Sequence, residues 1–413
     1  MIQETPTLPQ RSPEKPVLQP KDGDGAAAAT PKNSAAQLTA VPARNGKKAC
    51  ILSSVRLATE HRMLRKEGGS LVRAGYEVSI IAPHPQDDEI SGISIKAVPK
   101  FTSRMSRMLR TPWHIYREAV RQNADVYHLQ NIELIPVGWL LKLHGKRILY
   151  DVREDMPADL RDKYYIPRWA RGPVALTADI AEKVSARVLD GVVAATPHIG
   201  TRFPAKKTVV VQNFPILDEE FPPSVPYLQR EPLAIYIGSI SPVRGLPELI
   251  DAVGELPEHM FVRLAIGGEF DPPELEQQVR QSRGWKRVEY LGWQNRNGLL
   301  SLLTRARIGV IPFLPAENHI LAQPIKLFEY MLAGLPIVAT DLKRQAEIIR
   351  GARCGILVPP GNPKAMADAI QWLLENPQEA QMMGQRGREA ALSTYNWGTQ
   401  EQLLLEMYRR ACS

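Results

Sequence analysis

A basic residue near a helix start, followed three positions later by a carboxylate, suits a ligand that carries both phosphate and hydroxyls. The chain has this arrangement in ENHILAQPIKLFEYMLAGLPIVATD, residues 317–341. Lys326 supplies a point charge beside free backbone N–H groups and the positive end of a helix dipole, and Glu329 can accept hydrogen bonds from sugar hydroxyls. The competing reading is an ordinary αβ unit with a solvated lysine and a capping glutamate, and this segment alone leaves both standing. Earlier in the chain, His128 ends an expected strand, where it could orient a sugar or an acceptor or serve only the packing. Gln130 is neutral and can only position. Of Asp151, Glu154 and Asp155, one could hold an acceptor hydroxyl, while Asp155 before Met156-Pro157 reads equally well as a helix N-cap. Asp87-Asp88 reads as a solvated loop, with neither DxD spacing nor a nearby His or Cys. Cys50, Cys354 and Cys412 are far apart and lack ligand spacing, so neither a metal site nor a disulfide framework is expected.

These residues need elements to hold them. Pro324 suits the first turn of a short helix and Gly334 its C′ position, before the β-branched run Pro336–Thr340 enters a buried strand. Strands are expected at Lys47–Ser54, Tyr76–Ala82, Ile93–Val98, Asp125–Leu129, Arg147–Val152, Gly191–Ala195 and Thr208–Val211, with helices between them. Alternation of this kind means a parallel, doubly wound sheet. From 214 to 232 prolines crowd in and acids cluster at Asp218–Glu220, the mark of a linker. The βα rhythm then restarts at Leu233. The expected architecture is α/β, with two Rossmann-like domains, 47–213 and 233–392, facing across a cleft at the carboxyl ends of their strands. Residues 1–46, rich in Pro, Ala, Gln and Lys and without hydrophobic period, are expected to be disordered.

At 413 residues the chain exceeds what one core usually supports. A net charge of +8 implies an anionic partner, whether nucleic acid, lipid or phosphorylated substrate. No aromatic stacking platform or reading motif accompanies the charge, so nucleic acid is not expected. No apolar run approaches the roughly 20 residues that span a bilayer, and Met1–Gly46 has no signal-peptide core, so a cytoplasmic location is expected.

The segment YIGSISPVRG (236–245), then LAIGGE (264–269), VEYLGW (288–293), IGVIPF (308–313) and PIKLFEYMLAGLPIVATD (324–341), resembles in order and spacing the donor-binding half of GT-B glycosyltransferases of the retaining family 4. EHRMLRKEGGSLVRAGYEV (60–78), ADVYHLQNIEL (124–134) and YDVREDMP (150–157) are similar to bacterial polysaccharide-type members. The resemblance implies a nucleotide-diphosphate sugar as co-substrate, no metal or other cofactor, and a glycolipid or polysaccharide acceptor. It implies that Arg244 contacts the diphosphate and Glu329 the ribose. A guanidinium in a Gly-flanked loop matches phosphate oxygens bidentately, and with Lys326 it would stabilise the departing nucleoside diphosphate. The implied catalytic residues are Arg244, Lys326 and His128. Donor contacts are expected from Gly238, Ser239, Arg244, Gly268, Glu317, Asn318, Lys326, Leu327 and Glu329, and acceptor-side contacts from Gln130, Arg153 and Glu154. The last helix, 393–413, is implied to cross back onto the first domain.

The chain departs from the family pattern at Ser239, often Arg, at Leu321, where the first of two paired glutamates is expected, and at Gln130, often His. Two other readings therefore stand beside a glycosyltransferase: a non-catalytic GT-B-like subunit that binds a nucleotide sugar, and an epimerase on the same fold. Finally, FTSRMSRMLRTPWHIYREAVR (101–121) interleaves five arginines with Met, Leu, Trp and Tyr against one acid. It suits a helix on an anionic membrane, peripheral on the inner face of the cell membrane, or a core-facing helix with a solvated basic side.

Overall fold

The computed structural model describes residues 46–101, 103–163, 166–217 and 225–412. Apart from Gly46, the segment expected to be disordered lies outside them, as do the linker acids 218–220. The first sheet is built from β1 (Lys48–Leu52), β2 (Glu77–Pro83), β3 (Asp88–Ile90), β4 (Ile93–Val98), β5 (Val126–Leu129), β6 (Arg147–Val152), β7 (Gly191–Ala194) and β8 (Thr208–Val210), in the order β3-β4-β2-β1-β5-β6-β7-β8. All its pairs are parallel except β3 with β4. Strands buried on both faces must be apolar throughout, which is why ACIL, VSII and VYHL read as continuous runs.

The edge strand β3 was not expected, since Asp87-Asp88 reads as a loop. Asp87 accepts from the Ala97 amide at 2.9 Å and pairs with Lys96 at 3.3 Å, which pins the turn and lets Asp88–Ile90 fold back on β4.

The second sheet runs β11-β10-β9-β12-β13-β14, from β9 (Leu233–Ile237), β10 (Arg263–Gly267), β11 (Val288–Gly292), β12 (Ile308–Ile311), β13 (Ile337–Thr340) and β14 (Gly355–Val358), parallel throughout. In each sheet the strand order reverses at one place, between β1 and β5 and between β9 and β12. The loops that leave these strands diverge and open a crevice. At the first switch, Asn131 Oδ1 accepts from the Ser54 amide at 3.1 Å and from the Ser53 hydroxyl, tying the two loops together.

One face of the first sheet carries the helices Arg104–Gln122, Ile135–Leu143 and Arg168–Val188. The other face is covered by the helical turns Arg62–Gly68 and Gly69–Arg73 and by the last helix, Trp397–Cys412. Trp397 is 1% exposed, its indole N–H donates to the Ser70 hydroxyl at 2.9 Å, and its amide donates to the Pro215 carbonyl at 2.7 Å.

The stretch 214–232 differs from a solvated linker at both ends. The Phe214 ring meets Phe328 edge-on at 4.7 Å, and the buried Arg230 guanidinium donates to the Ala333 carbonyl at 3.2 Å. The two halves also meet through Gln323 and Gln212, at 2.9 Å.

Candidate active site

The chain leaves β9 at its carboxyl end and turns sharply. Gly238 (φ +127°) donates to the Gly267 carbonyl at 2.8 Å, and Gly268 (φ +152°) lies so close that a Cβ there would stand 2.0 Å from the Gly238 oxygen. Gly268 is thus required by contact between two loops, and only glycine takes this backbone conformation without strain. A short 3-10 turn, Pro242–Arg244, follows, closed by Gly245, whose Cβ would meet the Pro312 oxygen at 1.8 Å. The loop after β9 therefore seats directly on the end of β12 and brings Arg244 over the Phe313 ring, 4.7 Å from its centroid.

The helix Ile325–Leu332 starts one residue beyond Pro324, which stands at the N-cap with extended backbone and not within the first turn. It ends as Gly334 predicts: Leu335 N–H reaches the Tyr330 carbonyl and Gly334 N–H the Met331 carbonyl, with Gly334 at φ +69°. Lys326 points inward from its first turn. Its ammonium sits 3.5 Å from the centre of the Tyr236 ring and 5.3 Å from that of Phe313, and it makes no hydrogen bond among the described residues. Burial, reinforced by Arg244, pushes this lysine well below its ordinary range, while Glu329 pulls the other way. A buried cation without a counter-ion is unstable unless a ligand supplies the charge.

Glu329, one turn on, accepts from Arg296 at 2.7 Å. Asn295 caps the helix Arg296–Arg305 by accepting from the Gly298 amide at 2.9 Å, which fixes Arg296 at the helix start. His319 stacks on Phe313 at 4.8 Å and its Nδ1 lies 3.1 Å from the Val243 carbonyl; burial, then Arg244, lowers its pKa. Glu317 and Asn318 belong to the short helix Glu317–Ile320, but their side chains lie outside the described residues. Ser239 is exposed at the rim.

One expected donor contact is corrected. The Leu327 side chain is fully buried in the second core and its N–H bonds to the Pro324 carbonyl, because the apolar side of this helix must face the sheet.

On the opposite wall the expectation for His128 is also corrected. It does not open into the cleft: it is fully buried, its Nδ1 is 2.9 Å from the Tyr408 hydroxyl of the last helix, and burial lowers its pKa to about 4, so it is neutral. The alternation of β5 turns this side chain toward the face that the last helix covers.

Gln130, just beyond the strand, is clamped. Its amide N–H donates to Glu67 at 2.8 Å and its oxygen accepts from Arg153. Arg153 also reaches Asp151 at 3.0 Å and Glu60 at 3.0 Å, and Arg62 joins Glu67 at 2.7 Å to Asp151 at 3.3 Å. The turn Arg62–Gly68 is a π-helix, so residues five apart stack, which is how Arg62 and Glu67 come to pair. This network floors a pocket whose rim includes Arg56, Asn131 and Glu154. Glu154 is largely exposed there, 3.5 Å from Arg56. Asp155 caps the helix Met156–Asp162 through the Ala158 amide at 3.4 Å.

The structure thus gathers Gly238, Gly268, Arg244, Lys326 and Glu329 at one wall, and Gln130, Arg153 and Glu154 at the other. The residues not anticipated are Tyr236, Phe313, Arg296, Arg62 and Glu67. Only Arg296 left a trace in the sequence, as a cation after an Asn cap; Tyr236 and Phe313 meet Lys326 from other segments, and the local Arg62–Glu67 pair acquires its role through Asp151 and Gln130, distant along the chain.

Residues 231–376 match the family model of glycosyl transferases group 1. Over 185 residues the chain is 26% identical to the alpha-D-kanosaminyltransferase of Streptomyces kanamyceticus, covering 44% of this chain and 46% of that protein. Over 170 residues it is 30% identical to the phosphatidyl-myo-inositol mannosyltransferase of Mycobacterium leprae, covering 40% and 43%. The matched part thus spans less than half the length of these curated relatives. Among solved structures, the sucrose-phosphate synthase from Thermosynechococcus elongatus superposes with a TM-score of 0.71 at 19% identity, covering 88% of this chain and 98% of that one. The Anabaena protein HepE in complex with UDP-glucose gives 0.65 at 16% identity, covering 88% and 99%. At such identities the likeness shows the fold, which is GT-B.

Proposed function

Because residues 231–376 belong to the glycosyl transferases group 1 family and the chain takes the GT-B fold, we propose that the protein is a glycosyltransferase using a nucleotide-diphosphate sugar. The observation that carries this reading is the buried, unpartnered ammonium of Lys326, with Arg244 beside the same ring and a helix N-terminus behind it. A diphosphate seated there meets two cations and free backbone N–H groups where negative charge grows as the glycosidic bond to phosphate breaks. Glu329, held by Arg296, faces the ribose hydroxyls. These cations supply the charge neutralisation, so no metal is assigned a part.

Transfer proceeds with retention at the anomeric carbon, by the resemblance to family 4. The acceptor is lipid-linked and meets the enzyme at the inner face of the cell membrane. A lipid acceptor is supported by the likeness to a phosphatidyl-myo-inositol mannosyltransferase and by the exposed basic and aromatic helix Arg104–Gln122.

The test is a thermal-shift screen with UDP-, GDP-, ADP- and TDP-sugars, followed by donor turnover. One nucleotide should stabilise the wild type. Lys326→Met and Arg244→Ala should each lose about 10²–10³-fold in turnover. Near-normal turnover in either variant would overturn the assignment.

A second reading, a non-catalytic nucleotide-sugar-binding subunit, is favoured by Leu321 and by the clamped Gln130. It predicts the same thermal shift with neither transfer nor donor hydrolysis.

A further inference from the structure

The three helices on one face of the first sheet share a property that their inner sides do not require. Inward, Ile115, Ala119, Val137, Leu141 and Ala186 feed the core. Outward, a surface helix is expected to be polar. Here Leu109, Trp113 and Val120 are 68%, 58% and 44% exposed along one line of the first helix, flanked by the exposed Arg110, Arg117 and Arg121. The second helix, IPVGWLLKL, is apolar but for Lys142, which pairs with Asp190, and presents Trp139, Leu140 and Leu143, the last 85% exposed. On the third, Trp169, Leu176, Ile180 and Val184 recur at helical spacing, with Trp169 82% exposed and Lys183 and Arg187 alongside.

The first two helices are joined by Tyr116 and His144 at 2.9 Å, and all three lie on the same sheet face. The acids nearby are already engaged. Glu118 pairs with Arg121, Asp179 with Lys183 and Arg202, and Glu182 faces inward to Tyr150 and Arg202.

Single exposed apolar residues are ordinary, but three adjacent helices with the same habit are not. We propose that this three-helix face docks the protein on an anionic bilayer, with Trp113, Trp139 and Trp169 seated among the headgroups. Indole rings favour the boundary between hydrocarbon and water, and the flanking guanidinium groups of Arg110, Arg117 and Arg187 complement anionic headgroups. A second copy of the chain fits worse, because a two-fold contact through this face brings the same arginine row against itself. No helix among the described residues is long and apolar enough to cross a membrane, so the face lies in the interfacial plane.

The first two of these helices follow β4 and β5 from their carboxyl ends, and the third follows β6 by way of the helix Met156–Asp162, so the face runs up to the cleft mouth. A lipid-borne acceptor would enter beside Glu154. This last point rests on the proposed transferase activity; the docking itself does not.

The test is flotation of the full chain with phosphatidylcholine vesicles and with vesicles in which roughly one lipid in three is phosphatidylglycerol. The wild type should float with the anionic vesicles alone, and its tryptophan emission should shift to the blue. Arg110→Glu/Arg117→Glu and Trp113→Ser/Trp169→Ser should each reduce binding roughly tenfold or more at an unchanged melting temperature. Wild type that stays at the bottom with anionic vesicles overturns the proposal. So does a charge-reversed variant that floats as well as wild type, or a face that dimerises in sedimentation or retains RNA in place of vesicles. Nucleotide-induced thermal shifts, read separately, report on the donor site whatever flotation shows.

Discussion

At the scale of single residues, the two walls of the cleft handle buried charge in opposite ways. Lys326 is left without a hydrogen-bonded counter-ion among the described residues, whereas the opposite wall is internally paired. Among its carboxylates, burial and the neighbouring Asp151 push Glu67 up to about 7. Burial also acts on Asp151, but Arg62 and Arg153 outweigh it and hold that group at about 2. The folded protein therefore keeps a proton on Glu67 to higher pH than the unfolded chain, where it leaves near the ordinary value of 4.5. This contribution to stability is complete below that value and is lost as pH rises through about 7. Glu67→Gln removes the slope. The melting temperature of the variant minus that of wild type should rise between about pH 5 and pH 8, and a constant difference would contradict the proposed titration. His128, held neutral by burial, acts in the reverse direction, with stability falling as pH drops from 6.5 toward about 4.

At the scale of elements, the wall that carries Arg244 and Lys326 is made by loops that touch backbone to backbone. Gly245 and Gly268 combine positive φ with a carbonyl inside contact distance. Gly268→Ala should lower the melting temperature by several degrees and weaken nucleotide binding at least tenfold, because strain at positive φ adds to displacement of the Gly238 loop. Gly351→Ala, in the last turn of the helix Lys343–Ala352 with nothing within 4 Å, should be neutral or stabilising, and calorimetry with nucleotide titration distinguishes the two. A similar loss in both variants would show that the loop contact is not the cause. The helix Ile325–Leu332 was legible in outline, since its terminal glycine and apolar spacing are local signals. That Leu327 faces the core and Lys326 the cleft follows from how the helix sits on its sheet, which its own residues do not state.

At the scale of the whole molecule, the halves are held together by the connection through Phe214 and by the last helix. Trp397→Ala removes a fully buried indole together with its bond to Ser70, at a cost of about 3–5 kcal/mol. A large fall in the unfolding midpoint is expected, and a change within about 0.5 kcal/mol would show that the helix is not structurally required. Part of the net charge of +8 also acquires a location at this scale, since the exposed Arg110, Arg117, Arg121 and Arg187 lie along one helical layer of the first domain.

Local chemistry made a large part of this protein readable from its sequence: the βα alternation, the two Rossmann-like halves, and the turn glycines that close single elements, whose signals lie within one stretch of chain. The tertiary structure alone decided which of the candidate residues reach the cleft. His128 is turned to the covered face by strand alternation and sealed by Tyr408, 280 positions away. Gln130 is immobilised by Glu67 and Arg153, 63 and 23 positions away. The row Trp169, Leu176, Ile180 and Val184 is left exposed because the sheet takes the helix by its other side. Burial and charge pairing belong to contacts between distant segments, and those exist only once the chain has folded.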